Sequence, residues 1–118
     1  MHTTRTERLA QQFQQEIATI LLQELKDPHL GFVTITRVEL TKDISRATVF
    51  FSCLGGQEER TRSQRALDRS AGFIHGLIKK RFRLKVIPEV VFRYDESIAD
   101  SIALSAVFDR LKQPPAAT

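Results

Sequence analysis

GFVTITRVELTKDISRATVFFSCLGG, residues 31–56, decides the fold. In its first half Val33 and Ile35 alternate with Thr34 and Thr36, the two-residue period of a strand with one apolar face. Ala47, Val49 and Phe51 repeat that period in the second half. The short turn Thr41-Lys42-Asp43 joins the two runs, and so short a connection implies an antiparallel hairpin. Gly31 opens the unit and Gly55-Gly56 closes it.

Helical spacing flanks the hairpin on both sides. Over residues 4–26, Leu9, Phe13, Ile17, Ile20, Leu21 and Leu25 form one apolar stripe. Asp27-Pro28 ends it, because the proline ring disfavours a helical conformation at Asp27. Beyond the hairpin a helix is expected from near Thr61, where Gln64 completes a capping box. Ala66, Leu67, Ser70, Ala71 and Ile74 make its stripe. The small residues Ser70-Ala71-Gly72 mark a kink, with a shorter helix from Phe73 to about Arg81 or Phe82. Pro88 then opens a third strand, EVVFRYD, at residues 89–95. Residues 97–112 suggest a last helix carrying Ile98, Ile102, Val107 and Leu111, and QPPAAT at 113–118 reads as a disordered tail.

The expected architecture is α+β: α-β-β-α-kink-α-β plus a C-terminal helix, in one domain over residues 4–112. A single three-stranded sheet has one face to bury, and the helices can cover it. At 118 residues, 42% hydrophobic and 27% charged, the chain can build one core without staples. The single Cys53 forbids an internal disulfide and points to a reducing compartment. Residues 1–20 hold no apolar run of signal-peptide type, so a cytoplasmic protein is expected.

Charge is segregated along the chain. Residues 60–85 carry nine basic side chains and one acidic, Asp68, for a net +8; the remainder is −4 against an overall +4. Such separation fits a polyanionic partner better than a merely solvated surface. On helical wheels Arg62, Arg65 and Arg69 fall together before the kink. After it Gly72, His75, Gly76, Lys79 and Arg83 share an arc, with Lys80 at its border, and Phe73, Ile74, Leu77 and Ile78 lie opposite. Two cationic stripes thus flank small residues that would let a phosphate or sugar approach the backbone. Arg81 points toward the apolar side on the same wheel.

DPHLGFVTITRVELTKDISRATVFFSCLG and AGFIHGLIKKRFRLKVIPEVVFRYDES resemble the bacterial ribosome-binding factor A family over residues 5–111. The markers are Asp27-Pro28, Asp43, Gly72-Phe73-Ile74, Pro88-Glu89, and Asp95 with Ser97. The resemblance implies a type II KH-like fold and a monomeric factor in late maturation of the small ribosomal subunit. It implies binding to free 30S subunits and 16S rRNA, a role in rRNA processing and cold growth, and assembly GTPases as further partners. KH domains grip RNA through a GxxG loop, which is absent here. The family's Ala-x-Gly kink reads Ser70-Ala71-Gly72, with serine in place of alanine. The residues expected to meet RNA are Arg62, Arg65, Arg69, Ser70, Ala71, Gly72, His75, Gly76, Lys79, Lys80, Arg83 and Lys85.

Other classes find less support. His2, His29 and His75 have no metal-ligand spacing with Cys53, and no HExxH, CxxC or phosphate-binding loop occurs. No cofactor is expected. Asp95, Glu96 and Asp100 are explained more simply by helix capping than by a carboxylate site. No segment approaches a membrane span. The rivals are a protein-interaction module for an assembly GTPase and a general RNA chaperone.

Overall fold

The structure is a computed structural model that describes residues 4–25, 27, 30 and 33–97. Among them the order is α1 (Arg5–Gln23), β1 (Val33–Leu40), β2 (Arg46–Cys53), α2 (Gln57–Arg81) and β3 (Glu89–Tyr94). The helix expected over 97–112 lies outside the described residues except at Ser97, as do Pro28 and the tail at 113–118.

α1 starts where the Thr4 hydroxyl accepts a hydrogen bond from the Glu7 amide at 3.0 Å. It ends at Gln23, short of the expected boundary at 26. The amides of Glu24 and Leu25 both donate to the Ile20 carbonyl, at 2.9 and 3.1 Å, which closes the last turn there.

β1 and β2 pair antiparallel, from Val33 opposite Cys53 to Leu40 opposite Ala47. The register slips between Ile35 and Arg37, so Thr36 is a bulge residue. The slip matters for packing. Ile35 and Val38 are both buried although three residues apart, which strict alternation forbids. The turn between the strands places Ile44 at φ 60°, an unusual conformation for a β-branched residue. Asp43 holds that turn: one carboxylate oxygen accepts from the Thr41 hydroxyl, the Ser45 hydroxyl and the Ser45 amide at 2.8, 2.7 and 3.1 Å. Those bonds, the Ser45 hydroxyl first, hold the Asp43 carboxyl below its ordinary value near 3.8.

β3 pairs parallel with β2, which makes β2 central in the order β1-β2-β3. Parallel neighbours need a long crossover, and α2 supplies it. This helix begins at Gln57, four residues before the expected cap at Thr61. Gly55 at φ 111° turns the chain, and the Gly56 amide donates to Glu59 Oε2 at 3.2 Å. Gln64 does not cap the helix. Its side-chain amide donates to the Phe92 carbonyl at 2.9 Å and ties α2 to β3.

α2 then runs unbroken for 25 residues. The break expected at Ser70-Ala71-Gly72 does not interrupt it. The Ser70 hydroxyl donates to the Ala66 carbonyl at 2.9 Å, a bond satisfied within the helix. A helical glycine costs about 1 kcal/mol. Burial of Leu67, Ile74 and Ile78, each worth about 1.5–3 kcal/mol, outweighs that cost.

Both helices cover one face of the sheet, α1 against β1 and α2 against β3. Phe13, Ile17 and Ile20 from α1 meet Val49 and Phe51 from β2, all fully buried. Phe82, just past α2, packs edge-on against Phe13 with centroids 4.7 Å apart. The expected inward set Ala47, Val49 and Phe51 is the observed one. Arg81 reaches back to α1, pairing with Glu16 and with Glu24, the latter at 2.9 Å. The hydrogen bonds it donates to these carboxylates, Glu16 first, push its guanidinium above the ordinary arginine value.

Candidate nucleic-acid interface

Because α2 is one helix, its cations share one helical frame. At 100° per residue, Arg62, Arg65, Arg69, Gly72, Gly76, Lys79 and Lys80 fall within an arc of about 100°. Ser63, Leu67, Ile74 and Ile78 are buried on the opposite side. The two stripes read from the sequence are therefore a single ridge, about 27 Å long from Arg62 to Lys80.

The cations on that ridge differ in how they are held. Arg62 bonds to Glu58 at 3.3 Å, an exposed pair of a kind that contributes about 0–1 kcal/mol, and Arg69 lies 3.6 Å from the half-buried Asp27. No carboxylate among the described residues is in ion-pair range of Arg65, Lys79 or Lys80. Two cations of the same window are committed within the fold. Arg81 bridges to α1, and Arg60 pairs with Glu96 while stacking 3.9 Å above the Tyr94 ring.

Between the charges the backbone is bare. A Cβ built at Gly72 or Gly76 would meet no atom within 4 Å beyond the adjoining backbone of the helix, so neither glycine is required by packing inside the chain. Internal close packing is therefore not the reason for two glycines on this ridge. Beside Gly72 a groove of 440 Å³ is lined by Ala71, Gly72 and His75 of α2, by Ser45, and by Glu89 and Val90 at the start of β3. Phe73, expected among the inward residues, is 49% exposed at the edge of the cationic arc. The period placed it near the border of the buried stripe, and Ile74 and Ile78 fill the space against the sheet instead.

The remaining expected residues separate into two groups. Ser70 and Ala71 lie off the cationic arc, half-buried on the side toward the sheet. Arg83 and Lys85 are exposed in the connection to β3, since α2 stops at Arg81 with Phe82 extended as its C-cap. Arg83 thus owes its position to that connection, not to the helical period. There the two line a cleft of 620 Å³ with Arg5 of α1 and Lys42 of the β1–β2 turn. Sequence reading missed Arg5 and Lys42, because only the fold brings them beside residues 83–85.

Asp95 is no part of a carboxylate site. It is 1% exposed and accepts from the Thr36 hydroxyl and the Ser97 amide, at 2.6 and 3.0 Å. The Ser97 bond is the capping role expected for it. Among the described residues no cluster of three or more metal-ligating side chains occurs, and no helix is long and apolar enough to cross a membrane.

A two-helix, three-stranded α+β domain of KH-like type, with a cationic ridge on its second helix, defines the class. Comparison with known proteins specifies it further. The family model for ribosome-binding factor A matches residues 5–108, and the chain belongs to that family. Ribosome-binding factor A of Nitrosomonas eutropha is 42% identical over 106 residues, covering 90% of this chain and 91% of its own. A solution structure from Thermotoga maritima, described as a putative ribosome binding factor A, superimposes with a TM-score of 0.70 at 41% identity, over 79% of this chain and 90% of that one. The Thermus thermophilus factor, as a homology model fitted into a cryo-EM map of a 30S complex, gives 0.63 at 26% identity, over 77% and 96%.

Proposed function

We propose that this protein is an assembly factor that binds free 30S subunits by laying the α2 ridge along 16S rRNA. The observation that carries the reading is the ridge itself: Arg65, Lys79 and Lys80, without acidic partners among the described residues, on either side of the open backbone at Gly72 and Gly76. Cations in that state can neutralise phosphates and release counterions. The bare glycine positions allow a sugar–phosphate chain to come close, and exposed Phe73 offers a ring on which a base can stack. The relative seen on a 30S particle supports the choice of partner.

The protein works by binding, with no bond made or broken. It favours an intermediate rRNA conformation by its difference in affinity between RNA states, during late maturation and processing of 16S rRNA and in growth at low temperature. It acts as a monomer in the cytoplasm, and assembly GTPases are its protein partners. The test is gradient co-sedimentation with separated small subunits, large subunits and whole ribosomes at low and moderate salt. Selective retention on free small subunits is expected. Equal binding to every particle, lost as salt rises, would leave only a generally cationic domain and overturn the reading.

A further inference from the structure

We propose that the cleft between Arg5, Lys42, Arg83 and Lys85 is a second phosphate-binding site, taking the backbone of the same RNA that lies along α2. The inference rests on the proposed RNA-binding function and extends the contact surface past the end of the helix. Three segments distant in sequence build the cleft: the first turn of α1, the β1–β2 turn, and the connection from α2 to β3. They meet at one end of the sheet, where β1 ends and β2 and β3 begin. α2 runs toward that same end, so its ridge leads from Lys79 and Lys80 into Arg83 and Lys85.

The charge in the cleft is unbalanced. Four cations line it against one carboxylate, Asp43. One oxygen of that carboxylate is already taken up by three hydrogen bonds within its own turn. None of Arg5, Lys42, Arg83 or Lys85 has a carboxylate in ion-pair range among the described residues. Arg5 is placed against its own helix as well. It is the first residue of α1, where the macrodipole is positive and disfavours a cation. A fold gains nothing by gathering these charges at one point, whereas a phosphate chain crossing the cleft would be met from three sides. Ile44, Leu84 and Val86 share its lining with the cations, so the cleft offers a sugar–phosphate backbone both apolar and charged surface.

The test compares Arg5→Gln/Lys42→Gln with Lys79→Gln/Lys80→Gln, each titrated against purified small subunits and against protein-free 16S rRNA over a salt series. Removing a cation from the first turn of α1 leaves the fold intact, and thermal denaturation of each variant checks this. Two lost phosphate contacts lower the slope of log affinity against log salt by about 1.4–1.8, equivalent to about 25- to 60-fold weaker binding at 0.1 M salt. That loss is expected for the cleft variant on both RNA and subunits. Wild-type behaviour of the cleft variant, with loss only in the α2 variant, would overturn the cleft and leave the proposed function standing. Loss on subunits but not on protein-free RNA would overturn it too, assigning the cleft to an acidic protein surface. Failure of the wild type to bind either probe would overturn both readings.

Discussion

The Thr36 hydroxyl donates to Asp95 Oδ2 at 2.6 Å, joining two residues 59 positions apart across the sheet. Thr36 is the bulge residue of β1, and Asp95 follows the last residue of β3. The strand between them, β2, contributes its Phe51 carbonyl, which accepts from the Asp95 amide at 2.8 Å. Arg37 Nε stands 3.5 Å from the same carboxylate oxygen. A bulge re-aims a side chain, and here it turns a threonine toward a buried carboxylate that locks all three strands at one end.

Removing either partner is therefore expected to cost more than a surface substitution. Thr36→Val strips a donor from a buried carboxylate and should lower stability by about 1–3 kcal/mol. Asp95→Asn should cost about 1.5–3 kcal/mol, as for hydrogen bonds to charged groups. The double variant should be less destabilised than the sum, since the two residues are in contact. Urea denaturation of the three variants checks this, and strict additivity would argue against the pairing.

Asp43 sets an acid limb on stability. Its folded carboxyl titrates below the ordinary value near 3.8, so the turn's contribution is present above that value. It is lost as pH falls through the folded pKa. Asp43→Asn should be less stable than wild type at neutral pH, with the difference shrinking once the pH drops below about 4. Denaturation midpoints from pH 6 down to about 2.5 give the measurement.

Gly72→Ala should separate stability from function. Beyond the adjoining backbone of its own helix, no atom lies within 4 Å of the added methyl, and α2 is helical on both sides, so stability should rise by about 0.5–1 kcal/mol. If RNA approaches α2 as proposed, affinity for protein-free 16S rRNA should fall, because the methyl would occupy space that the RNA backbone needs. A stabilised variant that binds RNA like wild type would show that Gly72 is not approached.

Arg81 is the control for charge without contact. It belongs to the basic cluster at the end of α2, yet both its partners are on or beside α1. Arg81→Gln should lower the thermal midpoint while leaving RNA affinity and its salt slope unchanged. A loss of slope equal to that of Lys79→Gln would place Arg81 on the RNA.

Much of this was legible in the sequence, with informative exceptions. Two-residue alternation identified the hairpin, and the stripes of Leu9 to Leu21 and of Leu67 to Ile78 identified the helices that cover it. The bulge was legible as well and went unread. Val33 and Ile35 keep one phase, Val38 and Leu40 keep the other, and only an extra residue between them points all four inward. The helix start at Gly56 was hidden because Thr61-Gln64 imitates a cap, whereas Thr61 donates back to the Gln57 carbonyl at 2.9 Å. Glycine propensity argued for a break at Gly72, but burial on the other side of the helix decides. Two cationic stripes could be read from charge and period, but their union in one ridge could not, because it depends on α2 continuing through Gly72. The cleft could not, because Arg5 and Lys42 meet Arg83 and Lys85 only through the fold.

The most direct test of the central claim is the salt dependence of binding to purified small subunits for wild type and for Arg65→Gln/Lys79→Gln/Lys80→Gln. Three lost phosphate contacts predict a folded variant whose log–log slope is smaller by about 2–3. A folded variant with the wild-type slope and affinity would contradict the claim that the α2 ridge meets the RNA.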